Sequence, residues 1–523
     1  MKSNCYITSP IYYVNDSPHI GHAYTSIACD CLARFNRLNS KDVFFLTGTD
    51  EHGQKVEKSA IAKGKSPQEF CDEVSQKFRN LSEILNLSND DFIRTTQDRH
   101  KKTVEKIWNI MQENGFIYKD VYQGWYALRD EAFYQEDELI DGKAPTGAPV
   151  EWHKEESYFF RLSAFQDKLL ALYQAVEDFV MPNYRMNEVI NFVKSGLKDL
   201  SISRTSFSWG IKVKNDPSHV IYVWLDALTN YLSALDFAED DCLNNANHKF
   251  QQFWINANNS PIHVVGKDIL RFHAIYWPAF LMACNLNVPY SIIAHGWWTN
   301  QGQKISKSLG NVIDPKAEID WLISLGCSNN IATDYFRYFL LREVPFGNDG
   351  DYHRDHLLNR IDAELANNIG NLVQRSLMMI INNCQGLLPA NNNSQMLISD
   401  EVNQLIDQYF LAFDNYQFDR AIEAVILIAN LANKNFNDLA PWNLKKLGKI
   451  QEMNNCLNDT VQQLKIIAIL LLPFIPDSAN RILDLINLDL KSRNFANLKQ
   501  PIVVNTKINS PSQTFPRLQN NKK

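Results

Sequence analysis

No Cys-x-x-Cys occurs anywhere in the chain; its nine cysteines are scattered over 523 residues. Scattered thiols fit a reducing compartment in which they stay free. Long apolar runs are also missing. The longest, residues 466–472, is stopped by Pro473 and is far too short to span a bilayer. The N-terminus has one lysine and then polar residues, so neither a signal nor a transit peptide is evident, and a soluble, cytoplasmic protein is expected. Positive charge is not in excess: the net of -7 argues against a histone-like wrapper of nucleic acid. It leaves room for a local basic patch, because phosphate binding depends on local charge. No internal repeat is apparent.

What is present is enough apolar sequence for several cores, and the length predicts two to four domains. Residues 4–14 and 42–47 are short, apolar and rich in Ile, Val, Tyr and Phe, and a helical stretch over 22–38 separates them. That pattern is a βαβ unit with a right-handed crossover, whose ligands sit beyond the carboxyl ends of the strands. At that place stands Pro18-His19-Ile20-Gly21-His22. Two histidines three apart share one face of a helix's first turn, beside its exposed N–H groups and positive dipole end, an arrangement suited to an anion. Gly21 would let a phosphate approach the backbone. Far downstream comes Lys304-Ile305-Ser306-Lys307-Ser308-Leu309-Gly310-Asn311, two lysines flanking a serine in a polar loop.

In this order the two stretches resemble the HIGH and KMSKS signatures of class I aminoacyl-tRNA synthetases, with Ile305 in place of the usual methionine. Pro10-Ile11-Tyr12-Tyr13-Val14-Asn15-Asp16, Thr47-Gly48-Thr49-Asp50-Glu51-His52-Gly53 and Val223-Trp224-Leu225-Asp226-Ala227 resemble the methionyl-tRNA synthetase family within that class, and the resemblance runs nearly end to end. It implies an α/β fold: a Rossmann-like parallel-sheet catalytic domain in two halves (residues 1–114 and 220–300) around a connective insertion (115–219). A lysine-loop and linker region (301–355) and an all-α anticodon-binding bundle (356–523) would follow. The insertion is aromatic-rich and turn-rich. The bundle is expected from helical spacing over 357–384, 400–414, 418–439, 457–472 and 477–487. A turn-rich hinge at 345–350 would precede it.

The activity implied is ATP-dependent attachment of methionine to its tRNA through methionyl-adenylate. A carboxylate ionised at neutral pH needs no enzymic base to attack the α-phosphorus, so catalysis reduces to positioning and charge stabilisation. By the resemblance His19, Gly21 and His22 hold the phosphates, Lys304 and Lys307 neutralise the departing pyrophosphate, and Gly266 and Asp268 approach the ribose. Mg²⁺ would accompany ATP, held by phosphate oxygens and water. The methionine pocket would comprise Ile11, Tyr13, Trp224, Ala227, Leu228, Tyr231, Ile269, His273 and Trp277, with Asp50 anchoring the amino group. Leu228 departs from a proline found in some relatives. Asn371, Arg375 and Trp442 would read the anticodon of methionine-accepting tRNAs, the initiator included. Zinc-binding relatives carry a cysteine-rich knuckle in the insertion; residues 126–149 hold no cysteine, so no structural zinc is expected. Without a recognisable appended domain after about residue 498, a monomer is expected.

Three other readings stay open at this point. Isoleucyl-, valyl- and leucyl-tRNA synthetases share both signatures but carry a larger editing insertion. A small-molecule adenylyltransferase of the same superfamily would lack the helical half. A tRNA-binding paralogue without catalysis would be marked by loss of His19, His22, Lys304 or Lys307, and none is lost.

Overall fold

The computed structural model describes residues 3–15, 17–129, 132–134, 136–305, 310–392, 399–511 and 514–518. Its centre is a seven-stranded parallel sheet. β1 (Asn4–Thr8) pairs on one side with β3 (Asp42–Asp50), which is flanked by β2 (Tyr12–Tyr13) and β4 (Asp91–Arg94). On its other side β1 pairs with Ile262–Gly266, and Ser291–His295 lies beyond. These strands are runs of Ile, Val, Phe and Leu because both faces of a parallel sheet are covered. Between β2 and β3 the chain crosses over through α1 (Ile20–Leu38), which is buried nearly all round. A helix buried on every side needs a second layer, and α1 packs on the sheet with one face and on the helix Asn329–Arg342 with another.

The apolar run over residues 220–225 does not form one strand: the strand is Asp216–Ile221, in a small three-stranded antiparallel sheet, and Val223–Leu228 is already helical. The apolar run is shared between two elements, which periodicity over six residues cannot separate. In the insertion, a long antiparallel ribbon pairs Ile117–Ala127 with Glu151–Phe160. The insertion also returns one short strand, Val180–Met181, to the edge of the main sheet beside Ser291–His295.

The helices expected over 400–414 and 418–439 are observed as Asp400–Asp414 and Phe418–Leu439, and the one expected over 457–472 begins earlier, as Ile450–Leu471. The hinge is tied down more firmly than turn composition suggests: Gly350–Tyr352 pairs in parallel with Trp298–Asn300. A Cβ on Gly296 would lie 2.2 Å from the Asn348 carbonyl oxygen, so this close approach requires glycine.

The parallel sheet and the helical bundle share one continuous core. At its centre Arg337, fully buried, donates to Asp30 on α1 at 2.7 Å and to the carbonyls of Leu85, Pro473 and Phe474 at 2.9 to 3.1 Å. Asp30 also accepts from Arg34 and Ser88. Burial alone would push its carboxyl up; the two guanidinium groups and these hydrogen bonds hold it below the usual carboxylate range.

Candidate functional site

At the carboxyl ends of the strands lies a cavity of about 480 Å³, the place where a doubly wound sheet takes its ligands. Its lining brings together His19, Gly21 and His22 from the head of α1, Ile11 and Tyr13 from around β2, and Asp50 from the end of β3. Trp224, Ala227, Leu228 and Tyr231 come from the helices after residue 222, and Gly266, Asp268, Ile269 and His273 from the loop and turns after Ile262–Gly266. Tyr13 and Asp50 are register partners across β2 and β3.

The two histidines form a capping box. His19 is the N-cap of α1 and its Nδ1 accepts from the Gly21 N–H at 3.1 Å, while His22 Nδ1 accepts from the His19 N–H at 3.1 Å. Both Nδ1 atoms are therefore acceptors, and each neutral ring carries its proton on Nε2, the donor it can offer outward. Burial lowers both histidines from the ordinary value, His22 furthest, with the neighbouring His19 adding to the effect; for His19 the Asp268 charge opposes it. The rings lie 3.9 Å apart.

This corrects one expectation. The first amides of the helix were expected to face an anion, but Gly21 N–H is taken by His19 and Ile20 N–H donates to the Ile313 carbonyl at 2.9 Å. The glycine serves the cap: a Cβ on Gly21 would meet His19 Cε1 at 3.0 Å. Imidazole Nε2–H groups, rather than bare helix amides, are the donors here. The Ile20–Ile313 bond also ties the chain just after the lysine loop to the head of α1. Lys304 closes the strand Gln303–Lys304, and Lys307 lies outside the described residues.

In the deep end of the cavity an apolar wall lies over a floor of hydrogen-bonded and stacked rings. His273 Nδ1–H donates to the Ile269 carbonyl at 3.0 Å, so Nε2 accepts from the Tyr231 hydroxyl at 2.7 Å. Burial brings His273 down to about 4, which keeps it neutral. Tyr231 stacks on His263, their centroids 4.1 Å apart, and His263 accepts from Trp277 Nε1 at 3.3 Å. Trp277 therefore does not line the cavity as expected; it is fully buried behind Tyr231. Floor groups that satisfy one another present ring faces and methyl groups to a ligand, a surface that suits a soft, apolar side chain.

Sequence reasoning missed several lining residues: Lys55, Thr25, Asn230, His295 and Trp297. His295 ends the strand Ser291–His295 and Trp297 follows it, so the rule that ligands sit past strand ends was an available signal. Thr25 Oγ1 lies 2.7 Å from His295 Nε2 and also donates to the Gly21 carbonyl. Trp297 Nε1 donates to Asp268 at 3.1 Å, and Lys267, ion-paired to Asp349, sits 4.3 Å over the Trp297 ring. Phe272 stacks on Trp224 at 3.5 Å.

In the bundle, Arg375 donates to Asn437 at 2.9 Å and lies 5.2 Å over the Trp442 ring and 5.1 Å over Phe436. Asn371, one turn before Arg375 on the same helix, is exposed. Ala440, left-handed at φ 44, reverses the chain after the helix Phe418–Leu439 so that Pro441 starts the next helix and Trp442 lies against Phe436.

Among the described residues two groups have metal-ligand spacing. In the first, Glu156, Asp216 and His219, the Lys119 ammonium already bonds both carboxylates at 2.5 and 2.9 Å. In the second, Glu239, Asp241 and His248, His248 Nδ1 accepts from the Phe250 N–H, so Nε2 keeps its proton toward Glu239. Neither group falls within residues 126–149.

A parallel sheet with a histidine-capped helix at its switch point, that helix's head bonded to the chain at Ile313, and a helical bundle sharing its core define a class I aminoacyl-tRNA synthetase. The family described as "tRNA synthetases class I (M)" matches residues 5–149 and 138–377, and "Anticodon binding domain of methionyl tRNA ligase" matches 388–523. The chain is 51% identical over 528 residues to the methionine--tRNA ligase of Rickettsia conorii, covering 99% of this chain and 100% of that one. With the methionine--tRNA ligase of Rhizobium meliloti it shares 48% over 524 residues, 98% of each. A solved Mycobacterium tuberculosis methionyl-tRNA synthetase in complex with methionyl-adenylate superposes with a TM-score of 0.90 at 43% identity, covering 99% of this chain and 100% of that one. The chain belongs to the methionyl-tRNA synthetase family.

Proposed function

We propose that the cavity holds methionine and ATP side by side, joins them as methionyl-adenylate with release of pyrophosphate, and then passes the aminoacyl group to tRNA with release of AMP. The observation that carries this is the meeting, in one cavity, of the two histidine Nε2–H donors with an aromatic pocket floored by the Tyr231–His273 hydrogen bond and the Tyr231–His263 stack. His19 and His22 bind the phosphates as neutral donors, and Asp268, beside Gly266, accepts from the ribose. A Cβ on Gly266 would stand 2.5 Å from the Asp268 carboxylate. Asp50 takes the ammonium of methionine, and Ile11, Tyr13, Trp224, Ala227, Leu228, Tyr231, Ile269 and His273 enclose its thioether. Lys304 and Lys307 neutralise charge that builds on the departing pyrophosphate, where one well-placed donor contributes about 3 to 4 kcal/mol.

ATP enters as its Mg²⁺ complex. Asp50 and Asp268 belong to different ligands in this scheme, and Asp268 already accepts from Trp297, so phosphate oxygens and water hold the ion. Asn371, Arg375 and Trp442 meet the anticodon of methionine tRNAs, the initiator among them. We read residues 1–114 with 220–300 as the catalytic domain, 115–219 as the connective insertion, 301–355 as the lysine-loop region and 356–523 as the anticodon domain. The protein acts as a monomer in the cytoplasm without structural zinc. Among the described residues no helix is long and apolar enough to cross a membrane.

Pyrophosphate exchange across a panel of amino acids tests the assignment. Methionine should support exchange far better than leucine or isoleucine; a higher kcat/KM for either rival would overturn it. Lys307→Ala should depress exchange while leaving anticodon discrimination in binding assays intact.

A further inference from the structure

One buried charged group in the catalytic domain takes no part in the chemistry above. Asp226 is fully buried on the helix Val223–Leu228. Its two oxygens face two histidines from different elements: Oδ2 lies 2.7 Å from His52 Nδ1, and Oδ1 lies 2.7 Å from His100 Nε2. His100, on the helix Asp98–Glu113, is itself fully buried and continues through Nδ1 to the Ser233 hydroxyl at 3.0 Å. Burial pushes the Asp226 carboxyl up, and the two histidines outweigh it and hold it at about 2, so the group is an anion at neutral pH.

What this anion joins is the point. At 100° per residue, Asp226 faces away from Trp224 and Leu228, which line the cavity from the same helix. His52 stands two residues after Asp50, in the loop that leaves β3. That loop is fixed further by Glu51, which takes both guanidinium arms of Arg94 at 2.7 and 3.0 Å and the Thr49 and Thr96 hydroxyls. Trp209 adds a hydrogen bond to the Glu51 carbonyl. So the loop that follows Asp50 is held on several sides, and one carboxylate bonds it to the helix carrying Trp224, Ala227 and Leu228.

We propose that Asp226, bridging His52 and His100, is a positioning residue for methionine recognition that sets the distance between the Asp50 anchor and the Trp224–Leu228 wall. The inference rests on the cavity's reading as a methionine site. An apolar residue of similar volume would fill the space without the desolvation cost of a buried anion. A carboxylate with two charge-assisted hydrogen bonds adds a fixed direction and length, which a soft apolar contact does not supply. A ligand held at both ends, by its ammonium and by its side chain, is sensitive to that length.

The test is Asp226→Asn in steady-state pyrophosphate exchange. Asn keeps the shape but cannot accept from both histidines, so KM for methionine should rise roughly ten- to a hundredfold. KM for ATP should move less than about twofold, because the phosphate donors sit on α1. An unchanged KM for methionine, or equal rises in both KM values, would overturn the proposal. Should that variant fail to fold, His100→Gln changes only the far partner, which touches neither the cavity nor His52. It should raise KM for methionine selectively and by less, whereas a lower Tm with an unchanged KM would again overturn the proposal. The unmodified enzyme in the same assay reports on the methionine reading separately, since it exchanges with methionine or does not whatever the variants do.

Discussion

Replacing Trp442 by alanine separates recognition from chemistry. The ring is 36% exposed, so a face is open to a base, while its other contacts are Phe436 at 5.9 Å and the Arg375 guanidinium at 5.2 Å. A base stacked on such a ring is worth about 1 to 3 kcal/mol. The cation–π contact that steadies the ring at an exposed site adds about 0.5 to 1 kcal/mol. At about 1.4 kcal/mol per decade, kcat/KM for tRNA should fall about ten- to a hundredfold. Methionine-dependent pyrophosphate exchange without tRNA should barely change, because Trp442 contacts none of the cavity residues. The assay pairs aminoacylation at limiting tRNA with exchange on the same preparation, and Trp442→Phe, which keeps a face, should recover most of the loss. Normal charging by the alanine variant would take the recognition role from this residue. Loss of exchange would mean that Trp442 holds the bundle together against Phe436, and the reasoning from exposure would fail.

Arg337→Met should lower the melting temperature steeply, since it takes one of the two guanidinium groups from the buried Asp30 and leaves the Leu85, Pro473 and Phe474 carbonyls without their donor; breaking such a buried pair costs about 3 to 5 kcal/mol, read by thermal unfolding. Asp334, fully buried, has its carboxyl pushed up to about 7 by burial, against an unfolded value near 4. The native state then binds the extra proton, so this group's contribution is full below about pH 4 and is lost as pH rises through about 7; Asp334→Asn should flatten that fall in Tm between pH 5 and 8. Purified protein should contain no stoichiometric zinc by elemental analysis, and a chelator should leave Mg²⁺-supplemented exchange intact. One tightly held zinc per chain would contradict this.

The parallel sheet was legible because strands buried on both faces read as unbroken apolar runs, and the long bundle helices because their spacing persists over many turns. Short elements were not. Val223-Trp224-Leu225 looks like the end of a strand by composition, yet it opens a helix whose Leu225 is buried in the core and whose Asp226 bonds His100 on the helix Asp98–Glu113. The edge strand Val180–Met181 is two residues long and carries no periodicity at all.

The site shows the same division for a different reason. Cavity-lining residues at strand ends cluster in short strings, so His19, His22, Asp50 and Asp268 could be brought together from the sequence. Residues that act on one another across long separations leave no local trace. Trp277 has the look of a wall residue, yet three other elements decide that it stands behind Tyr231. His52 and His100 stand 48 residues apart in the chain and become a pair only because the fold puts one carboxylate between them. The helix head shows the consequence most directly. Sequence gives two histidines and a glycine beside free amides, and it is the capping geometry that spends those amides on the imidazoles and moves the donors to Nε2. If His19 and His22 bind the phosphates as proposed, ATP binding depends on the histidine tautomer that the backbone of α1 enforces, and any change that opens the cap should weaken ATP binding before it unfolds the helix.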